Sequence, residues 1–185
     1  DDYRYSNLTL TGCTILLQHC KNANTSILLK HKQNDPNYGD LGEQSINATV
    51  LTGGTIENCY GTITVSGNSS IEFHNVSLTV NGLGSTNAIN AVDSWLTFGT
   101  AATLQSLQIR RGSLAGNALT LIGDSMIENC DIRTPINTTG IKLIVRNSDI
   151  HAMITTRNID LINNQIYAEI DQSDLGGIVY VNVTG

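Results

Sequence analysis

The amino-acid sequence predicts an all-β protein in which short parallel strands coil into a stacked β-helix, with one turn for about every 16–19 residues. The first observation is a repeat of the form apolar-x-Asn-x-x-apolar at nearly constant spacing. The second is alternation of apolar and polar residues over short stretches, which is typical of strands with one buried face. The third is a composition rich in Asn, Thr, Ser and Gly, which favours turns and short strands over helices.

The repeat is carried by six segments that can be laid over one another. Their central residues follow at steps of 17, 36, 18, 18 and 16 residues, and the 36-residue step has room for two turns. A weaker copy around Asp93 falls inside that long step. A fixed short period of this kind indicates a stacked architecture. The segments are Ile56–Gly61, Phe73–Leu78, Ile109–Leu114, Ile127–Ile132, Val145–Ile150 and Leu161–Ile166.

The strands are predicted to be parallel. One repeat is too short for the helix of a parallel crossover unit, which needs about 30 residues. Hairpins would need reversal turns between strands, whereas here the same residue types return at the same phase. Successive turns should therefore stack about 4.8 Å apart, with each residue above its counterpart. The inward columns collect apolar residues, among them Leu78, Leu114, Ile132, Ile150 and Ile166.

A column of asparagines marks one corner of the predicted coil. Asn adopts the left-handed backbone conformation more readily than most residues, so the column suits a tight bend between strands. The stacked side-chain amides are expected to hydrogen-bond along the axis as a structural ladder. Its members are Asn58, Asn75, Asn129, Asn147 and Asn163.

The whole chain, residues 1–185, is expected to form a single β-helix domain. A polar, turn-rich stretch around residues 31–47 is predicted to be a loop thrown out from the wall of the coil. Neither end shows a helix that would cap the stack, which stacked folds require. We therefore expect an excised piece of a longer protein, or ends covered by partner chains.

Charge and cysteine usage exclude several functional classes. The net charge is −6 and no run of Lys or Arg occurs, so nucleic acid is not expected as a partner. No apolar stretch is long enough to predict insertion into a membrane. The four cysteines match no zinc spacing and are interpreted as reduced, small apolar fillers, which suits a reducing compartment. We expect no metal and no cofactor. The cysteines are Cys13, Cys20, Cys59 and Cys130.

The Asn column, the short irregular turns, the Asn/Thr/Gly-rich composition and the absence of caps resemble the right-handed parallel β-helix proteins of the pectin-lyase-like kind. Bacteriophage tailspikes and tail fibres are the most similar group. The resemblance implies a right-handed, homotrimeric β-helix that is made in the bacterial cytoplasm and placed in the virion tail. It also implies recognition of host bacterial surface polysaccharide, often with cleavage.

Three functions remain open under this resemblance. The leading expectation is a tailspike or tail-fibre domain that binds polysaccharide, without catalysis in this fragment. A second is a polysaccharide-degrading glycosidase or lyase of the same fold. A third is a non-catalytic shaft or the stalk of a bacterial surface adhesin, located at the cell surface or secreted.

The outward columns of the last strong repeats predict the site. Asp131 and Asp149 should lie side by side, and paired carboxylates about 5 Å apart suit a retaining glycosidase. Two like charges this close would also raise the pKa of one carboxyl, as a general acid requires. These two residues are the predicted catalytic pair. The predicted glycan-binding residues around them are Arg133, His151, Gln165 and Tyr167.

A second outward column is interpreted as structural, because Glu128 and Arg146 would be an opposite-charge pair worth about 0–1 kcal/mol at a surface. Tyr38 and the single tryptophan, Trp95, could stack on sugar rings, and Trp95 suits a place in the core equally well. The second column reads Glu57, His74, Arg110, Glu128 and Arg146.

Overall fold

The computed structural model describes the backbone of residues 7–11, 16–17, 26–30, 45–51, 54–57, 60–65, 70–139, 141–171 and 180–184. Side chains are described for residues 61–65, 70–139, 141–171 and 183–184. Over these ranges the chain is an all-β parallel solenoid of about six turns without a helix, which confirms the predicted fold class. Its right-handedness and trimeric state stay predictions.

The strands are short and follow one another closely. In chain order they are β1 (Asn7–Thr11), β2 (Leu16–Leu17), β3 (Ser26–Lys30), β4 (Ser45–Leu51), β5 (Gly54–Glu57), β6 (Tyr60–Val65), β7 (Ser70–His74), β8 (Ser77–Asn81), β9 (Ala88–Phe98), β10 (Ala102–Leu104), β11 (Ser106–Gly116), β12 (Leu119–Leu121), β13 (Ser125–Ile132), β14 (Ile136–Thr138), β15 (Leu143–Arg146), β16 (Asp149–Ile150), β17 (Ile154–Thr155), β18 (Asn158–Ile162), β19 (Gln165–Ile166), β20 (Ile170–Asp171) and β21 (Tyr180–Thr184).

The strands form three parallel faces around the coil. Face 1 runs in the order β1-β3-β5-β7-β9-β11-β13-β15-β18-β21. Face 2 contains β2, β4, β6 and β8, continues through the second halves of β9, β11 and β13, and ends with β16 and β19. Face 3 is the separate sheet β10-β12-β14-β17-β20.

The predicted loop at 31–47 is only partly within the described residues. Residues 31–44 lie outside them. Strand β4 begins at Ser45 and pairs in parallel with β6, so residues 45–47 belong to the coil rather than to the loop. Ile46 and Ala48 alternate with polar neighbours there, which is the pattern of a strand.

The corner between faces 1 and 2 is a column of residues in the left-handed backbone conformation. Their φ angles lie between 52 and 59°, as expected for the tight bend. Asp93 is the corner residue of the extra turn that lies within the 36-residue step. Asn58 lies outside the described residues, and hydrogen bonding between the column's side-chain amides stays a prediction. The column residues are Asn75, Asp93, Arg111, Asn129, Asn147 and Asn163.

The residue that directly follows a corner-column residue makes hydrogen bonds to the equivalent residue on the next turn. The Cys130 N–H donates to Ser148 Oγ at 3.1 Å, and the Ser148 N–H donates to Asn164 Oδ1 at 3.0 Å. At Gly112 an added Cβ would collide with the Ser94 carbonyl oxygen of the preceding turn. The close approach therefore excludes a side chain at Gly112, whereas the equivalent position holds Val76 and Ser94 on the two preceding turns.

The core is a continuous stack of apolar columns. On face 2 the inward residues Leu78, Leu96, Leu114, Ile132 and Ile150 are all at most 2% exposed. Ile166, which was also predicted to face inward, is 42% exposed, so the prediction is wrong at β19, the last described strand of this face. Cys130 is a buried free thiol, as predicted, and burial raises its pKa to about 12. Cys13, Cys20 and Cys59 lie outside the described residues.

Candidate functional site

The candidate site lies on face 2, whose strands present two outward columns. Parallel registers align each residue with its counterpart one turn away, and Asp131 stands directly beside Asp149. The first column is Ser77, Trp95, Ser113, Asp131, Asp149 and Gln165. The second column is Thr79, Thr97, Ala115, Arg133, His151 and Tyr167.

Alternation along the strand turns these side chains outward. Ile132 and Ile150 are fully buried, and each stands between two polar residues that face solvent. The backbone continues the register beyond the strand ends, because the His151 N–H donates to the Ile132 carbonyl at 2.8 Å. The Tyr167 N–H donates to the Ile150 carbonyl at the same distance of 2.8 Å. All six predicted site residues therefore lie together over three turns.

The carboxylate of Asp131 lies close to both Arg133 and His151. Its Oδ2 accepts a hydrogen bond from Arg133 Nε at 2.8 Å, and its Oδ1 lies 3.7 Å from His151 Nε2. Oδ1 is buried and accepts no hydrogen bond from any residue that the structure describes. Asp131 thus holds Arg133 in place through Oδ2, and its buried Oδ1 is not accessible to a ligand.

The aromatic part of the site is pre-organised. The rings of His151 and Tyr167 stack with centroids 4.6 Å apart and an interplanar angle of 0°. The Tyr167 hydroxyl donates to Gln165 Oε1 at 2.5 Å, which fixes the ring's outer edge. Tyr167 remains 62% exposed, so this is a rigid aromatic surface facing solvent.

Trp95 belongs to the same face and was not resolved by sequence reasoning. Its side chain is 51% exposed, so the core interpretation of this residue is wrong. Trp95 stands two positions after the corner residue Asp93, just as Asp131 stands two positions after Asn129. This shared position relative to the corner residue is the sequence signal that could have assigned Trp95 to the outward column.

The second outward column, on face 1, forms an ion-pair chain. Glu128 lies 2.9 Å from Arg110 and 3.0 Å from Arg146, on the turns before and after it. The close contact with Arg146 and the charges of both arginines hold the pKa of the Glu128 carboxyl below its usual range. Within the column Glu128 thus pairs with both arginines, whereas His74 lies 3.9 Å from Glu72 on its own strand and the side chain of Glu57 lies outside the described residues.

A further ion pair sits at the corner. Arg111 donates to both carboxylate oxygens of Asp93, at 2.6 and 2.8 Å. This hydrogen-bonded pairing lowers the pKa of the Asp93 carboxyl. Two turns that lack the usual column asparagine are thus joined by a bidentate contact, which is the geometry that carboxylates and guanidinium groups prefer.

Two kinds of site are absent from the described part of the chain. Within it, no group of three or more His, Cys, Asp and Glu side chains is arranged to hold a metal ion. Over the same residues, no helix has the length and apolar character required to cross a membrane.

Comparison of the chain with protein-family models, curated proteins and solved structures finds no match.

Proposed function

We propose that this chain is a polysaccharide-binding β-helix domain of a phage tailspike or tail fibre, and that face 2 recognises a bacterial surface glycan. The observation that carries the proposal is the exposed cluster of Arg133, His151, Gln165 and Tyr167, braced from below by Asp131. Rigid aromatic rings with adjacent polar groups supply contact area at low entropic cost.

Each exposed group has a complementary role toward a sugar chain. The stacked His151–Tyr167 pair offers an apolar ring face to the C–H surface of a pyranose. Within the described residues Arg133 bonds only through Nε, so its Nη groups remain available as donors to hydroxyls. Asp149 is exposed beside them and supplies acceptors.

The arrangement favours binding over cleavage. A glycosidase needs both carboxyl groups to reach the scissile bond. Asp131 has one oxygen bonded to Arg133 and the other buried, so only Asp149 presents an open carboxylate. We therefore assign Asp131 a positioning role and the surface a recognition role.

The test is binding of the purified chain to a panel of capsule and lipopolysaccharide O-chain polysaccharides, measured by calorimetry or surface plasmon resonance. Tyr167→Ala should weaken binding of the retained polysaccharide about tenfold or more. Met153→Ala is the matched control, because Met153 is a 43% exposed apolar residue on face 3. Unchanged binding by both Tyr167→Ala and Arg133→Ala would sink the proposal.

A glycosidase is the second candidate, and the register of Asp131 with Asp149 on adjacent turns is the observation that favours it. Incubation with the same polysaccharides should then release oligosaccharides, and Asp131→Asn or Asp149→Asn should abolish release. Binding without release by the unsubstituted chain assigns the surface to recognition. Release by both substituted chains at the original rate would exclude this pair as the catalytic residues.

Assembly and location are part of the same proposal. A tailspike domain would be a homotrimer, made in the bacterial cytoplasm and carried on the virion tail. An adhesin stalk or structural shaft at the cell surface would share the coil but would not need the His151–Tyr167 surface. Loss of glycan binding on Tyr167→Ala therefore also separates the first proposal from the shaft.

A further inference from the structure

We propose that Trp95 is a second sugar-stacking position on face 2, so that the ligand is an extended polysaccharide lying along the solenoid axis. This inference rests on the proposed function and adds to it the length and direction of the ligand. It assigns a role to a residue outside the cluster formed by Asp131, Arg133, His151, Gln165 and Tyr167.

Trp95 is exposed because its register places it in the outward column of face 2, where an indole gains no packing from the coil. The other large aromatic side chains of this region, Phe73 and Phe98, are completely buried. In the strand that carries Trp95, the inward position is filled by Leu96, which is 1% exposed. Leaving half of an indole in water forgoes the burial free energy of a large apolar side chain. A surface that contacts a ligand would recover it.

The neighbours of Trp95 in the two outward columns have small, uncharged side chains. The outward column places Ser77 and Ser113 on the neighbouring turns, and the adjacent column places Thr79, Thr97 and Ala115 beside them. None of these side chains is long enough to cover the indole. Their hydroxyls can exchange hydrogen bonds with sugar hydroxyls at the rim of a stacked ring.

The charge near Trp95 is internally balanced. The charged residues of the two neighbouring corner positions, Asp93 and Arg111, neutralise each other through two hydrogen bonds. A neutral sugar therefore meets no uncompensated charge at this position. The chemistry fits a neutral hexose better than a phosphate or a carboxylate, which would need an unpaired cation.

The spacing of the two aromatic positions decides the kind of ligand. Trp95 and Tyr167 are four turns apart in register, and turns stack about 4.8 Å apart, so they are separated by about 19 Å along the axis. A single sugar cannot reach both positions. Only a chain of several sugars that crosses the strands can contact Trp95 and the His151–Tyr167 pair together.

Trp95 is the only tryptophan in the chain, so its fluorescence reports on this position directly. The probes are the polysaccharides retained in the binding panel, used intact and as short oligosaccharides from partial hydrolysis. Saturation with the intact polysaccharide should shift or quench the emission. Trp95→Ala should weaken binding of the intact polysaccharide about tenfold or more. It should also reduce the difference in affinity between the intact polysaccharide and short oligosaccharides. Trp95→Tyr should restore part of the loss, and Met153→Ala should change nothing.

The outcomes separate this inference from the function on which it rests. Unchanged emission at saturation, or Trp95→Ala binding like the unsubstituted chain while Tyr167→Ala loses affinity, overturns the second position and leaves recognition intact. Full binding by Trp95→Ala, Tyr167→Ala and Arg133→Ala overturns both. Far-ultraviolet circular dichroism of each variant verifies that the β-solenoid is retained, and the emission measurement needs no substitution.

Discussion

Single residues set the corner that turns the chain from face 1 to face 2. An L-residue in the left-handed conformation costs about 1–2 kcal/mol, and Asn bears this cost better than most because its short polar side chain bonds locally. Six successive corner residues adopt that conformation, and four of them are asparagines. At Asp93 and Arg111, where asparagine is missing, the side chains bind each other instead.

This conformation makes a prediction at Asn147, whose φ is 52°. Asn147→Ala should lower the free energy of unfolding by about 1 kcal/mol, because alanine is strained there, whereas Asn147→Gly should stay close to the unsubstituted chain. Chemical denaturation measures both. The control is Asn137 in β14, an extended strand, where glycine should be less stable than alanine. The same order at both positions would contradict the assignment of strain to the corner.

Each strand is aligned in register with a strand one turn before it and a strand one turn after it. The contacts of its side chains are therefore best understood from those neighbouring strands. On face 1 the column through β11, β13 and β15 places Glu128 between two arginines, 18 residues from each. The side chain of Glu128 is only 15% exposed, so the pairing is partly shielded from solvent. Such shielding strengthens an ion pair relative to one fully in water.

The pairing predicts acid sensitivity. The folded-state pKa of Glu128 is lowered, so its contribution to stability is present above the usual glutamate pKa of about 4.3 and is lost as pH falls below it. Glu128→Gln should be less stable than the unsubstituted chain at pH 7 and should lose less stability on acidification. Thermal unfolding across pH 3–7 measures this. Glu169→Gln, on an exposed residue of face 3, is the control. Equal acid slopes for Glu128→Gln and the unsubstituted chain would contradict the pairing.

The coil and its corner could be predicted from sequence because both depend on short-range rules. Asparagine tolerance of the left-handed conformation and two-residue alternation fix which residues turn and which face inward. The partners of Asp131 could not be predicted in the same way. Whether its carboxylate oxygens contact Arg133, His151 or Asp149 depends on the side-chain rotamers of residues in both outward columns of face 2. The exposure of Trp95 likewise depended on its position relative to the corner residue, and the repeat pattern is weak around Asp93, one of the two corner positions without asparagine.

At the scale of the whole molecule, each turn packs only on the turns before and after it. Such an architecture is quasi-one-dimensional, and its stability is a sum of turn and interface contributions. Neither face 1 nor face 3 carries an aromatic cluster like that of face 2 in the described part of the chain. A closed trimer would have to use surfaces other than the proposed binding face.

The trimeric proposal is tested by mass in solution. Sedimentation equilibrium should give three times the 19.9 kDa mass of one chain, independent of concentration in the micromolar range. Trp95→Ala and Tyr167→Ala should leave this mass unchanged, because the proposed function assigns face 2 to glycan binding and not to a subunit interface. A monomeric mass at all concentrations would contradict the proposed trimer. Dissociation of the trimer on Tyr167→Ala would place face 2 in a subunit interface.

The separation of inward and outward columns has a consequence for how this protein can evolve. Leu114, Ile132 and Ile150 hold the coil together, whereas Ser113, Asp131 and Asp149, one position earlier in each strand, add nothing to the inner packing. Mutations of the outward set can accumulate without a folding penalty from the core. The chemistry of face 2 could therefore be exchanged turn by turn in evolution, while the scaffold beneath stays the same.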